Sequence, residues 1–226
     1  MATFIYKNQQ PYLLAGAKVF VNNQWKDIPG FAQLYVNQSW YFLADNIVNG
    51  TTVSYGSEII SAGTTYIDTA LVYKGNLIIT SGGTAYSTTV NFGGELYVAS
   101  GGTATNTIVN SGGYLVVSSG GTASNIVENG GYVDVGAGAN VTFTPDFFGG
   151  WVLNSGARAT VHSGTTAVSI TVNSGGRLSV SSGGTANDTT VNSGYLYVYS
   201  GGTALAVVSR AGAIIQVYSG GYITYA

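Results

Sequence analysis

A short phrase that returns at a nearly fixed interval constrains this chain more than any other feature. Residues 81–123 read SGGTAYSTTVNFGGELYVA, SGGTATNTIVNSGGYLVVS and SGGTA, so the phrase begins at Ser81, Ser100 and Ser119 with a period of 19 residues. It returns further along the chain at Ser163, Ser182, Ser200 and Ser219. A fixed period of this length indicates a repeat architecture, in which each repeat is one structural unit.

One repeat reads as three short strands separated by three turns. Residues 107–110 are rich in β-formers, residues 114–117 alternate, and residues 122–123 start a third strand. Glycine pairs lie between these runs and accept the positive φ that tight turns need. An α-helix is disfavoured, because each glycine in a helix interior costs about 1 kcal/mol. Three strands in one period of 19 residues predict one rung of a parallel β-helix.

Counting the apolar residue before the first turn of each repeat predicts nine rungs in residues 51–226. The markers are Val53, Val72, Val90, Val109, Val127, Leu153, Val172, Val191 and Val208. The longest interval is 26 residues and places an insertion of about seven residues near 142–151. We therefore predict an all-β chain whose main domain is a single-chain parallel β-helix, or solenoid.

Stacked rungs predict columns of identical side chains. The first inward column holds Leu77, Leu96, Leu115, Val133, Leu178, Leu196 and Ile215. The second holds Ile79, Val98, Val117, Val135, Val161, Val180, Val198 and Val217, and a narrow third holds Ala85, Ala104, Ala123, Ala167, Ala186 and Ala204. A polar corner column holds Asn91, Asn110, Asn154, Asn173 and Asn192, with Glu128 in the same register. We interpret the asparagines as amides that satisfy turn backbone rather than as a ligand ladder.

Residues 1–50 do not follow the main period. Residues 18–28 and 33–43 align with each other at an offset of 15 and predict two hairpins, with turns at Asn22–Asn23 and Asn37–Gln38. We predict that residues 1–50 form a β-hairpin module that caps or attaches the rod, since an open solenoid end exposes unpaired strand edges. The other end, residues 222–226, has no comparable cap and would suit fusion, a homo-oligomer or a larger assembly.

Composition excludes several classes of protein. Charged residues make up only 7% of the chain, but 45% is hydrophobic, which argues against a solvated tail. A net charge of −2 gives no basic footprint for nucleic acid, and the absence of cysteine excludes disulfides. No apolar run approaches the length of a membrane-spanning helix, and the chain as given shows no secretory signal peptide. We predict neither a metal nor a cofactor.

The outward positions of the second strand carry tyrosines, whose rigid ring and hydroxyl suit sugar or protein surfaces. Ordinary cross-strand stacking on an exposed sheet is the alternative interpretation. The candidate binding residues on this side are Tyr97, Tyr114, Tyr132, Tyr195, Tyr197 and Tyr199. The insertion adds Phe147, Phe148 and Trp151, which would either form a contact site or cover a packed bulge.

Catalysis has little support in the sequence. His162 is the only histidine, and no Ser/His/Asp set is legible. Glu95 and Asp134 are two rungs and one column apart, whereas the carboxylates of glycosidases lie about 5–9.5 Å apart. We therefore predict no enzymatic activity, with a polysaccharide lyase or depolymerase on the same scaffold as the alternative.

The phrase SGGTAxxTxVNSGGxLxV resembles the passenger repeats of AIDA-type bacterial autotransporter adhesins over residues 53–219. That resemblance implies a right-handed β-helix displayed on a cell surface. It also implies O-glycosylation of outward serines by a dedicated glycosyltransferase, with Ser118 and Ser181 as candidates. Residues 18–43 are similar to small modules of phage tail structural proteins.

Repeats and resemblance together predict a non-enzymatic, structural and adhesive solenoid. It would act outside the cell, on a bacterial cell surface or on a virion as part of a phage tail fibre. Its expected partner is a cell-surface or glycan receptor.

Overall fold

The structure, a computed structural model, describes the backbone of residues 46–226 and of six strands between residues 2 and 43, with side chains from Ile47 onward. Every regular element in this described part is a β-strand. It therefore contains no helix that could cross a bilayer.

The six strands before residue 44 pair in chain order as three antiparallel hairpins. They are β1 (Ala2–Lys7), β2 (Gln10–Ala15), β3 (Lys18–Val21), β4 (Gln24–Asp27), β5 (Ala32–Val36) and β6 (Ser39–Leu43). Hairpins β3–β4 and β5–β6 match the two that the sequence predicts, whereas β1–β2 was not singled out. The predicted turn residues Asn22–Asn23 and Asn37–Gln38 lie outside the described residues.

The rest of the chain forms a parallel β-solenoid in two stacks of rungs. The first stack contains β7 (Asn46–Asn49), β8 (Thr52–Ile60), β9 (Thr64–Ile67), β10 (Ala70–Ile79), β11 (Thr84–Tyr86), β12 (Thr89–Val90), β13 (Glu95–Val98), β14 (Thr103–Thr105), β15 (Ile108–Asn110), β16 (Tyr114–Val117), β17 (Thr122–Asn129), β18 (Tyr132–Val135) and β19 (Asn140–Phe143). The second stack contains β20 (Asp146–Gly149), β21 (Val152–Leu153), β22 (Arg158–Val161), β23 (Thr165–Val168), β24 (Thr171–Val172), β25 (Arg177–Val180), β26 (Thr185–Asn187), β27 (Thr190–Val191), β28 (Tyr195–Val198), β29 (Thr203–Ser209), β30 (Ile214–Val217) and β31 (Tyr222–Tyr225).

Each full rung contributes one strand segment to each of three faces. The leucine face comprises the ends of β8 and β10, then β13, β16, β18, β22, β25, β28 and β30, which gives the nine rungs predicted. The alanine face comprises β7, β9, β11, β14, the start of β17, β19, β20, β23, β26, the start of β29 and β31. The valine face comprises the starts of β8 and β10, β12, β15, the end of β17, β21, β24, β27 and the end of β29.

The predicted inward columns form two hydrophobic cores, one in each stack. Every alanine of the narrow column and nearly every residue of the other two is buried. Ala159 completes the leucine column in β22, a position that the sequence analysis left empty. The exceptions are Ile215, which is half-buried, and Val135 and Val217, which are 37% and 39% exposed. Both valines lie in the last leucine-face strand of their stack, where no rung in register follows.

The glycine pairs of the repeated phrase are required by stacking as well as by turn geometry. Gly101 has φ +74°, and a Cβ there would lie 2.6 Å from Ser81 Oγ in the preceding rung. A Cβ on Gly102 would lie 2.5 Å from the Ile79 carbonyl oxygen. The first glycine therefore supplies a left-handed conformation and the second a close backbone approach.

The polar corner is a ladder of amides that hydrogen-bond to one another. Asn110 Nδ2 donates to Asn91 Oδ1 at 2.9 Å, and Asn129 Nδ2 donates to Asn110 Oδ1 at 2.8 Å. The expectation that Glu128 shares this register is wrong. Glu128 aligns with Val109 on the valine face and points into the core, because Asn129 takes the place on the ladder.

Three of the predicted rung markers, Val72, Val127 and Val208, are one residue out of place. Val53 aligns with Leu71 rather than Val72, Val109 with Glu128 rather than Val127, and Val191 with Ser209 rather than Val208. Since side chains alternate between the two sides of a strand, such a slip moves the assigned residue from the core to the outer surface.

The predicted insertion near 142–151 is the joint between the two stacks. It consists of two alanine-face strands: β19 pairs with β17 of the first stack, and β20 pairs with β23 of the second. Across the joint, the Thr160 amide donates to the Gly131 carbonyl at 3.0 Å. If the repeat continued in register, the donor of this bond would be the Arg158 amide. Strand β22 is therefore shifted by two residues relative to β18, and the ladder of the leucine face is interrupted there.

Candidate binding face

The outer side of the leucine face carries the predicted tyrosines, and in the second stack three of them form a continuous stack of rings with Tyr218. Tyr195 and Tyr197 are 6.2 Å apart between ring centroids, Tyr197 and Tyr199 are 6.4 Å apart, and Tyr199 and Tyr218 are 4.7 Å apart with planes only 7° from parallel. The alternation of β28 places Tyr195 and Tyr197 outward, while Leu196 and Val198 between and after them are buried. We call Tyr195, Tyr197, Tyr199, Tyr218 and Arg177 the tyrosine patch.

Arg177 lies over the rings of Tyr195 and Tyr197 and comes from the preceding rung. Its Cζ lies 5.0 Å from the Tyr197 ring centroid and 6.0 Å from that of Tyr195, within the range of cation–π attraction. In the strand before, Arg158 aligns with Arg177, so two guanidinium groups occupy one column. Neither arginine was among the candidates chosen from the sequence. Tyrosine rings beside a guanidinium group can contact the C–H face of a sugar ring, and Arg177 can bind an acidic group.

Burial and neighbouring hydroxyls raise the pKa of Tyr199. Desolvation is the largest cause, Tyr218, Tyr132 and Tyr197 add to it, and Arg177 opposes it. The ring is nevertheless 38% exposed, so its hydroxyl is available at the surface as a neutral donor and acceptor.

The tyrosines of the first stack are more dispersed. Tyr114 and Tyr132 are 5.8 Å apart with rings tilted by 52°. Tyr97 donates its hydroxyl to Glu95 Oε2 at 2.6 Å, and this bond, with burial and the Glu95 charge, raises the pKa of Tyr97. Glu95 thus has a tyrosine partner rather than a second carboxylate, and Asp134 lies in the neighbouring column two rungs away.

The three aromatic candidates of the predicted insertion have different environments. Phe148 is a core residue, only 3% exposed, because it points inward on β20 opposite Ala167, and it is therefore wrong as a surface contact. Phe147 points outward and is 75% exposed. Trp151 is partly exposed and lies against Gly130, so it covers the joint between the stacks.

A second group of exposed aromatic residues was not found from the sequence. Tyr55 and Tyr73 stack at 6.2 Å with planes 10° apart, and Phe92 follows in the next rung. All three lie at the corner between the valine and leucine faces and are more than half exposed. The sequence does contain a signal for this group, since an aromatic residue follows the valine-face strand in three successive rungs. The wrong choice of Val72 as a rung marker hid that regularity.

The one ionisable pair buried among the described residues lies at the joint. Glu128 is fully buried, and its Oε1 accepts hydrogen bonds from Thr160 Oγ1 at 2.7 Å and from His162 Nδ1 at 2.6 Å. The His162 amide donates to Oε2 at 2.7 Å, and the ring stacks on Phe143 at 4.6 Å. A polymeric substrate could not reach this carboxylate, so the network is structural.

The two serines predicted as glycosylation sites differ in exposure. Ser118 is exposed at the turn after β16, and Ser181 is half-buried at the equivalent turn after β25. Both turns follow a leucine-face strand.

Stacked parallel rungs with apolar inward columns and exposed aromatic columns define a β-solenoid. A family model described as "Adhesin of bacterial autotransporter system, probable stalk" (AIDA) matches residues 91–131 and 149–194. The unmatched gap of 132–148 contains the joint between the stacks. A solved structure, described as a TibC-catalysed hyper-glycosylated TibA fragment, is 30% identical, covers 79% of this chain and 71% of that chain, and superposes with a TM-score of 0.38. No curated protein sequence matches.

The chain belongs to the AIDA family of adhesin stalk repeats. This agrees with the resemblance that the repeated phrase carries.

Proposed function

We propose that this chain is a non-enzymatic adhesive stalk, displayed on a bacterial surface, that binds a glycan receptor through the tyrosine patch. Membership of an adhesin family supports the structural and adhesive part of the proposal. The tyrosine patch supports the location of the binding site, since the ring planes of Tyr195 and Tyr197 are only 9° from parallel and Arg177 lies over both rings. Half-buried tyrosines such as these supply rigid contact area with little loss of side-chain entropy on binding.

A glycan array tests the proposal, with wild-type protein compared with the Tyr195→Ala/Tyr197→Ala variant. Removal of two central aromatic contacts should weaken binding by roughly tenfold or more. The matched control is Tyr55→Ala/Tyr73→Ala, which removes a stacked and exposed aromatic pair from the first stack and should leave the affinity unchanged. Equal binding by wild type and the Tyr195→Ala/Tyr197→Ala variant would exclude the patch.

A polysaccharide depolymerisation assay on the same proteins tests the alternative function. We expect no shortening of any polymer, because Glu95 is bonded to Tyr97 and Glu128 is buried. Shortening by the wild-type protein would instead favour a lyase or depolymerase.

Glycosylation is a second part of the proposal. The TibA fragment is glycosylated by TibC, and we propose that a glycosyltransferase likewise modifies exposed serines of this chain, with Ser118 favoured over the half-buried Ser181. The intact mass of the protein from its native host should exceed the sequence mass, and Ser118→Ala should lower the excess. A mass equal to that of the bare chain would contradict this part alone.

A further inference from the structure

A groove runs along the first stack at the corner between the alanine and valine faces, away from the tyrosine patch. Its volume is about 430 Å³, within the range of small-ligand sites. The corner is concave because one residue of each rung adopts a left-handed conformation there, with φ of 52° at Asp68 and 55° at Ser87 and Asn106.

The two walls of the groove differ in chemistry. The corner wall presents polar groups, one from each of four successive rungs: Asp68, Ser87, Asn106 and Asn125. The opposite wall is mainly apolar and presents Ala70, Thr89, Ile108 and Val127. Since rungs are spaced by about 4.8 Å, four rungs extend the groove over roughly 14 Å along the rod axis.

The main-chain groups of both walls are already hydrogen-bonded to neighbouring rungs. The amides of Ser87 and Asn106 donate to Thr105 and Ser124 carbonyls at 2.9 Å, and the Ile108 amide donates to the Thr88 carbonyl at 2.9 Å. An extended peptide that adds to a sheet edge needs free main-chain groups, and these walls do not offer them. A ligand in this groove must be recognised by side chains. Asn125 Nδ2 donates to Asn106 Oδ1 at 3.0 Å, so the groups of this pair that face a ligand are the Asn106 amide nitrogen and the Asn125 amide oxygen.

The charge and shape of the groove narrow the class of ligand further. Asp68 is the only charged residue of the lining and no cation is present, so an anionic polymer would find no partner. A pyranose chain offers hydroxyl groups at its edge and C–H groups on its face, which matches one amide and hydroxyl wall opposite one apolar wall. We propose that this groove binds a neutral, linear polysaccharide that lies parallel to the rod.

The second stack supports the assignment by contrast. Its corner residues at the equivalent positions are Gly150, Ser169, Asp188 and Ala206, which also have positive φ. The two ends of that wall therefore lack the polar side chains that Asp68 and Asn125 supply to the first stack.

Titration calorimetry of the full chain against cello-, xylo-, manno- and malto-oligosaccharides tests the proposal. The variant Asn106→Gly/Asn125→Gly removes two side-chain amides from the groove. Because glycine accepts positive φ, the protein should still fold. Its affinity for the bound sugar should decrease roughly tenfold. Ile108→Ser changes the opposite wall at an exposed position and should weaken binding independently. Asp188→Gly, at the position of Asn106 in the second stack, is the matched control and should have no effect.

The outcomes separate this groove from the tyrosine patch. Tyr195→Ala/Tyr197→Ala should leave oligosaccharide binding intact if the groove is the site, whatever that variant does on the glycan array. Binding to none of the four sugar series would overturn the proposal. So would preference for oligogalacturonate or for an extended peptide, or equal weakening by Asp188→Gly.

Discussion

The two stacks follow the same plan and differ where each one ends. In the alanine column an aromatic residue, Tyr66 or Phe148, precedes three alanines, and Val141 or Ile223 follows them. The two aromatic residues are 82 positions apart, so a longer repeat overlies the rung period. The last residue of the valine column is Glu128 in the first stack and Ser209 in the second.

That difference shows what determines which type of residue fits an inward position of a solenoid. Glu128 is fully buried because the second stack covers it with Thr160 and His162, whereas Ser209 is exposed. Inside a stack the next rung presents apolar side chains, and valine fits. At the joint the shifted strand β22 and its following turn present hydrogen-bond donors, so a carboxylate fits instead.

The largest expected effect tests whether the rungs of a stack share one core. Leu115→Asp places a charge in the fully buried leucine column between Leu96 and Val133, and should reduce the free energy of unfolding by on the order of 5 kcal/mol. The neighbouring Tyr114→Ser, which points outward, should cost about 1 kcal/mol or less. Urea unfolding followed by circular dichroism compares the two, and equal midpoints would show that inward and outward positions are misassigned.

A second prediction concerns the joint itself. Glu128→Val restores the residue type of Val109 but leaves the buried Thr160 hydroxyl and the two donors of the half-buried His162 without their acceptor. It should cost about 3 kcal/mol. The reciprocal control, Val109→Glu, buries a carboxylate where no donor faces it and should cost at least as much. If Glu128→Val stabilised the protein in urea, the polar network would not hold the stacks together.

A third prediction separates backbone strain from rung stacking by use of two glycines. Gly156 has φ +83° at the start of the second stack, and a Cβ there would meet nothing within 4 Å, so Gly156→Ala should cost about 1 kcal/mol. Gly101→Ala adds contact with Ser81 and should cost about 2–4 kcal/mol in the same urea assay. Equal losses would mean that the contact between successive turns contributes nothing.

The smallest expected effect is a loss of stability at high pH in the first stack. Burial, with the Glu58 carboxylate adding to it, raises the pKa of Tyr66 from 10.0 to about 12. Because the folded state holds this proton more tightly than the unfolded state, the stabilisation is complete below pH 10 and is lost as pH rises to about 12. Tyr66→Phe should flatten the fall in melting temperature over that window, and an unchanged slope would contradict the assignment.

Much of the fold could be predicted from the sequence because the period is short and strict. The leucine and alanine columns follow from residues such as Leu115 and Ala123, which recur at the same offset in nearly every rung. The position of Glu128 could not be obtained in this way. The turn Asn129–Gly130–Gly131 is one residue shorter than the turn of the rung before, so counting back from Val133 gives the wrong register. The spacing of 19 between Asn91, Asn110 and Asn129 was the available signal.

The candidate site was less predictable than the fold. Alternation along β28 identifies Tyr195 and Tyr197 as outward residues, but it gives no information on Arg177, which reaches them from another rung. Phe148 was predicted either to form a contact site or to cover a packed bulge, because an apparent insertion suggests a loop, whereas the extra residues complete a second alanine-face strand. The groove depends on left-handed residues at one corner, and the side chain at that corner varies from aspartate to serine to asparagine.

Hydrogen exchange of individual amides tests the central claim, that two separately packed stacks meet at a polar joint held by Glu128. In wild type, we expect Leu115 and Leu178 to exchange slowest and the joint amides of Val133, Thr160 and His162 to exchange faster. In Glu128→Gln, exchange at those three joint amides should accelerate further, with Leu115 and Leu178 unchanged. Joint amides as protected as Leu115 and insensitive to this substitution, or acceleration of all five alike, would contradict the account.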